Sequence, residues 1–282
     1  MDKAGEQMIP KTLIQIWPGT DNISEENAIR MANNVRVCNE YGYQHFLFRI
    51  DNDGYLIGKD DNGFHRYMFE DIYENSLFAA MLRDPKIPLV MKGDILRFTA
   101  IYLNGGFYAD LDLQLNYFDE RWLEMPYVCG FEKIRPPTAG QVPEFCPKNP
   151  GHRKINREQN PVCTAFFGAP ARSPINKEMV EHILETYEKI VANNYYPKNM
   201  WHVIDITVDP LARIIRKYPE VKPFPMEMFF PWPIPQRIDN PFTEHYYAGT
   251  QKDGWTFEQC KNEDCPKCED RKQCVITREV KK

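Results

Sequence analysis

The chain lacks any uninterrupted apolar run of about 18 residues. Its opening, MDKAGEQMIPKTLIQIW, lacks the apolar stretch of roughly 7–15 residues that marks a secretion signal. No membrane-spanning segment is therefore expected within these 282 residues. A basic excess is also missing. Lys and Arg number 35 against 40 Asp and Glu, a net charge of −5, so nothing favours a nucleic-acid partner. Internal repeats and low-complexity linkers are absent, which sets aside solenoids and flexible tethers. What remains, 43% hydrophobic and 13% aromatic residues, is enough for one large domain or two small ones.

Cysteine is not scarce. Cys38, Cys129, Cys146 and Cys163 are scattered, whereas Cys260, Cys265, Cys268 and Cys274 crowd into CKNEDCPKCEDRKQC. Four close thiols in a chain without a secretion signal are a candidate tetrahedral Zn²⁺ site; free thiols or a disulfide pair are the alternatives. Either way the cluster is a structural clip on the tail. Residues 258–282 are accordingly set apart from a main domain spanning 1–257.

Periodicity gives the coarse architecture. KTLIQIW and YQHFLFRI read as strands. SEENAIRMANNVRVCNEYG reads as a helix capped by Ser24 and stopped at Gly42. Met91, Ile95, Phe98 and Tyr102 recur at helical spacing, and Gly105-Gly106 ends that helix. FYADLDLQL follows as a strand with Phe107, Ala109, Leu111 and Leu113 on one face. SPINKEMVEHILETYEKIVANN is a further helix, with Ser173 as cap and Pro174 in its first turn. DPLARIIRKYPE repeats that cap-then-proline start, and the proline-rich YPEVKPFPMEMFFPWPIPQ is mostly extended loop packed on the body. Strands alternating with helices imply an α/β fold with a mixed, mostly parallel central sheet, whose ligand site lies at the carboxyl ends of its strands.

Asp110 and Asp112 occupy that position, in an apolar run where charge is expensive to bury. In a continuous strand they share a face with Tyr108, their Cα atoms roughly 6.5–7 Å apart. Two unpaired carboxylates at that distance raise each other's pKa; a hard divalent cation, Mn²⁺ or Mg²⁺, removes the conflict. Asp94 and Arg97 lie one helical turn apart on the preceding helix. The Gly-Gly turn folds that helix back toward the strand, so one base and three acids converge within about 25 residues. Singly, each pair has a bland reading: an exposed helix ion pair, or two acids flanking a turn. Together they form D-x-x-R…L-x-G-G-x-Y-x-D-x-D, here DILRFTAIYLNGGFYADLD, which is far more specific than a lone D-x-D.

This block resembles the D-x-D region of glycosyltransferase family 32. IPKTLIQIW resembles the opening strand of that family, NPVCTAFFGAPARSPI the segment after the metal strand, and EHYYAGTQKDGW a C-terminal histidine-to-tryptophan motif. The likeness covers roughly residues 9–257, in the family's order. It implies a GT-A fold, a nucleotide-sugar donor, a glycan or other hydroxyl acceptor, Mn²⁺ or Mg²⁺, and retention of anomeric configuration. By position, Asp112 would bind the metal, Asp110 the metal and ribose, and Asp94 and Arg97 the donor sugar. Ile16 and Trp17 would line the nucleotide pocket, with Trp17 against the base. Tyr108 would accompany the donor. His245 falls at a C-terminal metal or phosphate contact, and Trp255 at the donor pocket. The chain departs from the pattern at Lys92-Gly93, at Asp209 in TVDPLAR where Thr-Gly-Pro is common, and at DGW in place of Ser-Trp. All three fall near the sugar and acceptor, so donor identity does not transfer.

Two competing functions remain. An aspartate-nucleophile phosphohydrolase also uses a strand ending in D-x-D, but it leaves D-x-x-R and Gly-Gly unexplained. A catalytically decayed sugar-binding protein would not be expected to keep all four charged residues. The expected compartment is the cytoplasm if these residues are the whole protein, or the Golgi lumen if an N-terminal anchor precedes them.

Overall fold

The computed structural model describes residues 8–19, 22–50, 55–60, 63–131, 145–146, 149–154, 162–194, 196–197, 200–229, 241–245, 255–259 and 274–279. In chain order the elements begin with β1 (Thr12–Trp17), α1 (Glu25–Tyr41), β2 (Gln44–Ile50), β3 (Tyr55–Asp60) and β4 (Gly63–Met68). Three helices follow, α2 (Phe69–Ile72), α3 (Ser76–Arg83) and α4 (Leu89–Asn104), then β5 (Gly106–Ala109) and β6 (Leu113–Leu115). A 3-10 turn at Glu120–Glu124 leads to β7 (Val128–Phe131), β8 (Phe145–Cys146), β9 (Asn149–Lys154) and β10 (Val162–Ala169). The last elements are α5 (Pro174–Ala192), α6 (Met200–Ile215), α7 (Met226–Phe229), β11 (Thr243–His245), β12 (Trp255–Gln259) and β13 (Cys274–Glu279).

The central sheet has seven strands in the order β4-β3-β2-β1-β5-β10-β7. At its middle β2, β1 and β5 run parallel. The hairpin β3–β4 on one side and β10 and β7 on the other pair antiparallel. This is the α/β fold with a mixed sheet that the alternating pattern implies. Side chains of β1 and β5 divide between two cores, as a period of two requires. Ile14, Ile16 and Tyr108 pack on the face covered by α4, α5 and α6, with Phe98, Phe167 and Ile183. Leu13, Phe107 and Ala109 pack on the other, with Trp122, Phe166, Phe229 and Phe242. A four-stranded sheet, β12-β13-β9-β8, joins the C-terminal strands to residues 145–154. No helix of the described residues is long and apolar enough to cross a membrane.

Local chemistry explains the element ends. Ser24 accepts a hydrogen bond from the Asn27 N–H at the start of α1, and Gly42 closes it in the left-handed region at φ 72°. Between α4 and β5, Gly105 and Gly106 have φ of 68° and 99°. A Cβ on Gly105 would lie 2.6 Å from the Ala171 nitrogen, and one on Gly106 would lie 2.8 Å from the Thr12 carbonyl oxygen. Only glycine permits this turn, which brings α4 directly against β1 and β5.

Two sequence expectations need correction, and two more gain detail. FYADLDLQL is not one strand: β5 stops at Ala109, residues 111–112 form a turn, and β6 resumes at Leu113. The Leu113 N–H donates to the Asp110 carbonyl at 3.1 Å, so the chain folds back where the two carboxylates would otherwise enter the sheet. Asp209-Pro210 does not start a helix. Pro210 lies inside α6, because Ile206, Leu211, Ala212, Ile214 and Ile215 form one buried stripe that spans it. That packing offsets the cost of an interior proline, about 3 kcal/mol. Ser173 occupies the cap position of α5, but its hydroxyl makes no cap hydrogen bond and is buried without a partner. Finally, the proline-rich stretch contains the short helix α7, whose Phe229 is fully buried against Trp122 and Phe166.

Candidate active site

At the carboxyl ends of the paired parallel strands, Trp17 is the last residue of β1 and Asp110 follows the last residue of β5. Asp110 is the first residue beyond β5, and its main chain is held on both sides. Its N–H donates to the Ala165 carbonyl on β10 at 2.8 Å. Its carbonyl accepts from the Leu113 N–H and, at 3.2 Å, from the Gln15 side-chain amide on β1. Asp112 sits partly exposed in the turn that follows.

Beneath this turn lies a charged array. The Arg97 guanidinium on α4 meets the Asp94 carboxylate at 2.9 Å and the Asp110 carboxylate at 3.2 Å. It also donates to the Thr164 carbonyl at 2.8 Å and approaches the Thr164 hydroxyl at 3.3 Å. The Tyr108 hydroxyl donates to the same Asp110 oxygen at 2.6 Å, and the Tyr108 ring lies 4.8 Å from the guanidinium. Asp94 is 3% exposed and Arg97 7%, whereas the Asp110 side chain keeps 23%. Charge is thus fixed at the bottom of the site and reaches solvent through Asp110.

Burial dominates the electrostatics. It raises the Asp94 carboxyl to about 6, with Asp110 adding to the effect, while Arg97 and a hydrogen bond from the Thr207 hydroxyl oppose it. Burial disfavours the Arg97 cation too. Asp110, Tyr108 and Asp94 outweigh it and hold the guanidinium firmly protonated. Burial also keeps the Tyr108 hydroxyl protonated, hence a donor to Asp110.

The sequence pattern thus brings together Asp94, Arg97, Tyr108 and Asp110, with Asp112 two residues on in the turn. Trp17 is half-buried at the end of β1, while Ile16 is 5% exposed and belongs to the apolar core. His245 is placed by its backbone: β11 pairs antiparallel with β6, and His245 stands opposite Leu113, the residue after Asp112. Trp255 lies on β12, paired through Glu279 with β13 in the separate four-stranded sheet. Cys260, Cys265 and Cys268 lie outside the described residues, and Cys274 begins β13. Among the described residues no group of three or more His, Cys, Asp or Glu side chains could hold a metal ion.

Three contributors escaped the sequence pattern. Thr164, on β10, supplies two contacts to Arg97. Thr207, on α6, hydrogen-bonds Asp94 from the TVDPLAR segment. Asn34 on α1 is fully buried and grips β6: its amide donates to the Leu113 carbonyl at 2.9 Å and its oxygen accepts from the Leu115 N–H at 2.8 Å. A helix side chain there does the work of a neighbouring strand.

No protein-family model matches the chain, and no curated protein matches it. Among solved structures it is similar to one titled PaToxG Glycosyltransferase, at 15% identity and a TM-score of 0.44, over 76% of this chain and 71% of that one. A likeness so distant says nothing about chemistry, which rests on the residues themselves.

Proposed function

We propose that the chain is a metal-dependent, retaining glycosyltransferase of GT-A type, related to family 32. In this reading it moves a hexose from a UDP- or GDP-sugar to a hydroxyl of a glycan or other acceptor. One observation carries the reading: the buried Asp94–Arg97–Asp110 array at the carboxyl edge of the parallel strands, opening onto Asp112. A buried guanidinium paired with two carboxylates is costly in a fold that does not use it, and the net negative array suits a polyanionic donor once a divalent cation stands between them. Asp110 and Asp112, with His245, would hold Mn²⁺ or Mg²⁺. When bound, such a cation stabilises charge developing on a leaving diphosphate.

The chain's own residues would do the rest. Trp17 offers a flat face for a base at the end of β1. Asp94 and Arg97 hydrogen-bond the donor sugar from the floor of the site, and Arg97 adds positive potential beside the diphosphate. Among the described residues no side chain stands out as a nucleophile, so attack on the same face is favoured. The bond from the anomeric carbon to phosphate oxygen breaks, the bond to the acceptor oxygen forms, and the acceptor's proton passes to the leaving phosphate. A phosphohydrolase is disfavoured, because one oxygen of its would-be nucleophile Asp110 is engaged by Tyr108 and Arg97. Within this reading residues 1–257 form the catalytic domain, and Cys260, Cys265, Cys268 and Cys274 clip the tail around Zn²⁺.

Incubation with Mn²⁺ and a panel of nucleotide sugars, measuring released nucleotide and transferred sugar, tests the proposal. Wild-type protein should release nucleotide from one donor, and Asp112→Asn should abolish release while unfolding at the same temperature. Undiminished turnover in Asp112→Asn would refute the assignment, and phosphate release from monophosphate esters would favour the hydrolase.

A further inference from the structure

Gln15 is a polar side chain with 0% exposure in the middle of β1, between Ile14 and Ile16. An apolar residue would cost less there unless both ends of the amide were satisfied. Both are. Its nitrogen donates to the Asp110 carbonyl at 3.2 Å, and its oxygen stands 2.9 Å from Nε2 of His45 on β2. Since the amide oxygen can only accept, His45 donates from Nε2, and does so whether the ring is neutral or protonated. The strand register makes this possible. His45 pairs with Leu13 across the parallel ladder, so it faces the same side as Gln15, one step diagonally away.

The position along β1 matters more. Main-chain pairing of β1 with β5 matches Leu13 to Phe107 and Ile14 to Tyr108. Gln15 is the next residue, where β5 ends and the Asp110–Leu113 turn begins. Its side chain therefore takes over from the backbone ladder, reaching across the parting strands to the Asp110 carbonyl. That carbonyl is the acceptor that also closes the turn through the Leu113 N–H. From these contacts we infer that Gln15, backed by His45, is the positioning residue for the Asp110–Asp112 turn. It fixes the carboxylate pair without touching either carboxylate. The inference builds on the proposed transferase site, but the turn geometry can be tested independently of it.

Gln15→Met keeps length and volume while removing both hydrogen bonds; His45→Ala, at a partly exposed position, removes the backing contact and leaves the Gln15–Asp110 bond in place. Two measurements separate the outcomes, each on protein whose cooperative unfolding shows that it is folded. Amide hydrogen exchange at Leu113 should accelerate at least about tenfold in Gln15→Met, and less in His45→Ala, because the carbonyl that protects this N–H loses its second anchor. Mn²⁺ binding without nucleotide, followed by electron paramagnetic resonance, should weaken roughly 10- to 100-fold, as for other groups that orient a ligand from behind. Should Gln15→Met fail to fold, His45→Ala carries both measurements. Unchanged Leu113 exchange in the folded variants overturns the inference whatever the metal result. If wild-type protein binds no Mn²⁺, the metal-dependent reading of the site fails, while exchange at Leu113 still decides the role of Gln15.

Discussion

Replacing Arg97 by methionine isolates the charged floor of the site. The change keeps the aliphatic stem and deletes contacts to Asp94, Asp110 and Thr164, leaving Asp94 at 3% exposure without its cation. Removing one partner of a buried pair costs roughly 3–5 kcal/mol. With an unfolding entropy of about 2.1 cal/mol/K per residue, that loss lowers the melting temperature of a chain this long by about 5–8 °C. The pH dependence is the sharper test. In the wild type Asp94 is raised from 3.8 to about 6. Between those values the folded protein binds more protons than the unfolded chain, so this group's contribution makes stability fall as pH rises through that window and stay level above it. Without Arg97, burial is less opposed, the carboxyl rises further, and the window extends upward. The deficit of Arg97→Met should therefore grow from pH 6 to pH 8, measured by thermal unfolding without nucleotide. Arg97→Lys should recover part of the stability but not the activity, because an ammonium cannot span Asp94, Asp110 and Thr164 together. A deficit below about 2 °C, or one equal at pH 6 and pH 8, would refute the reasoning.

Other outcomes follow from single contacts. Tyr108→Phe removes only the hydroxyl that orients Asp110, so it should cost about 1 kcal/mol in chemical denaturation but reduce nucleotide release disproportionately. Gly106→Ala, at φ 99° and against the Thr12 carbonyl, should destabilise by roughly 1–3 kcal/mol in the same assay. Asn34→Ala leaves a buried carbonyl and a buried N–H of β6 unpartnered. It should cost about 1–3 kcal/mol for each, with faster amide exchange at Leu115 as its local signature.

Much of this site is legible from short-range pattern. The three-residue spacing of Asp94 and Arg97 is a helical neighbour relation, and the two-residue spacing of Tyr108 and Asp110 is a strand relation. Both survive in the fold as direct contacts. The Gly105-Gly106 turn was equally readable, since nothing else tolerates its geometry. What periodicity cannot supply is the identity of the next strand. Thr164 meets Arg97 across 67 residues and Gln15 meets Asp110 across 95, through a strand order that local propensity does not encode. Pro210 misled because a proline marks a helix start only when no apolar stripe continues through it. The hairpin β3–β4, in which Asp60 pairs with Gly63, was overlooked because its strands carry no clear alternation of apolar and polar residues.

The ribbon of β6 and β11 bears on how the protein is made. The side-chain amide of Asn116 bonds the Pro241 carbonyl 125 residues further along, and β6 acquires its strand partner only from residues 243–245. A ribosome adding about 5–20 residues per second needs on the order of ten seconds to cover that distance. Throughout that interval the nascent chain already carries Asp94, Arg97, Asp110 and Asp112, yet the segment leaving the carboxylate turn is held by Asn34 of α1 in place of its strand partner. The segment beyond the acidic turn is thus written early and given its strand partner late, which makes the Phe242–His245 segment the step that completes the ribbon.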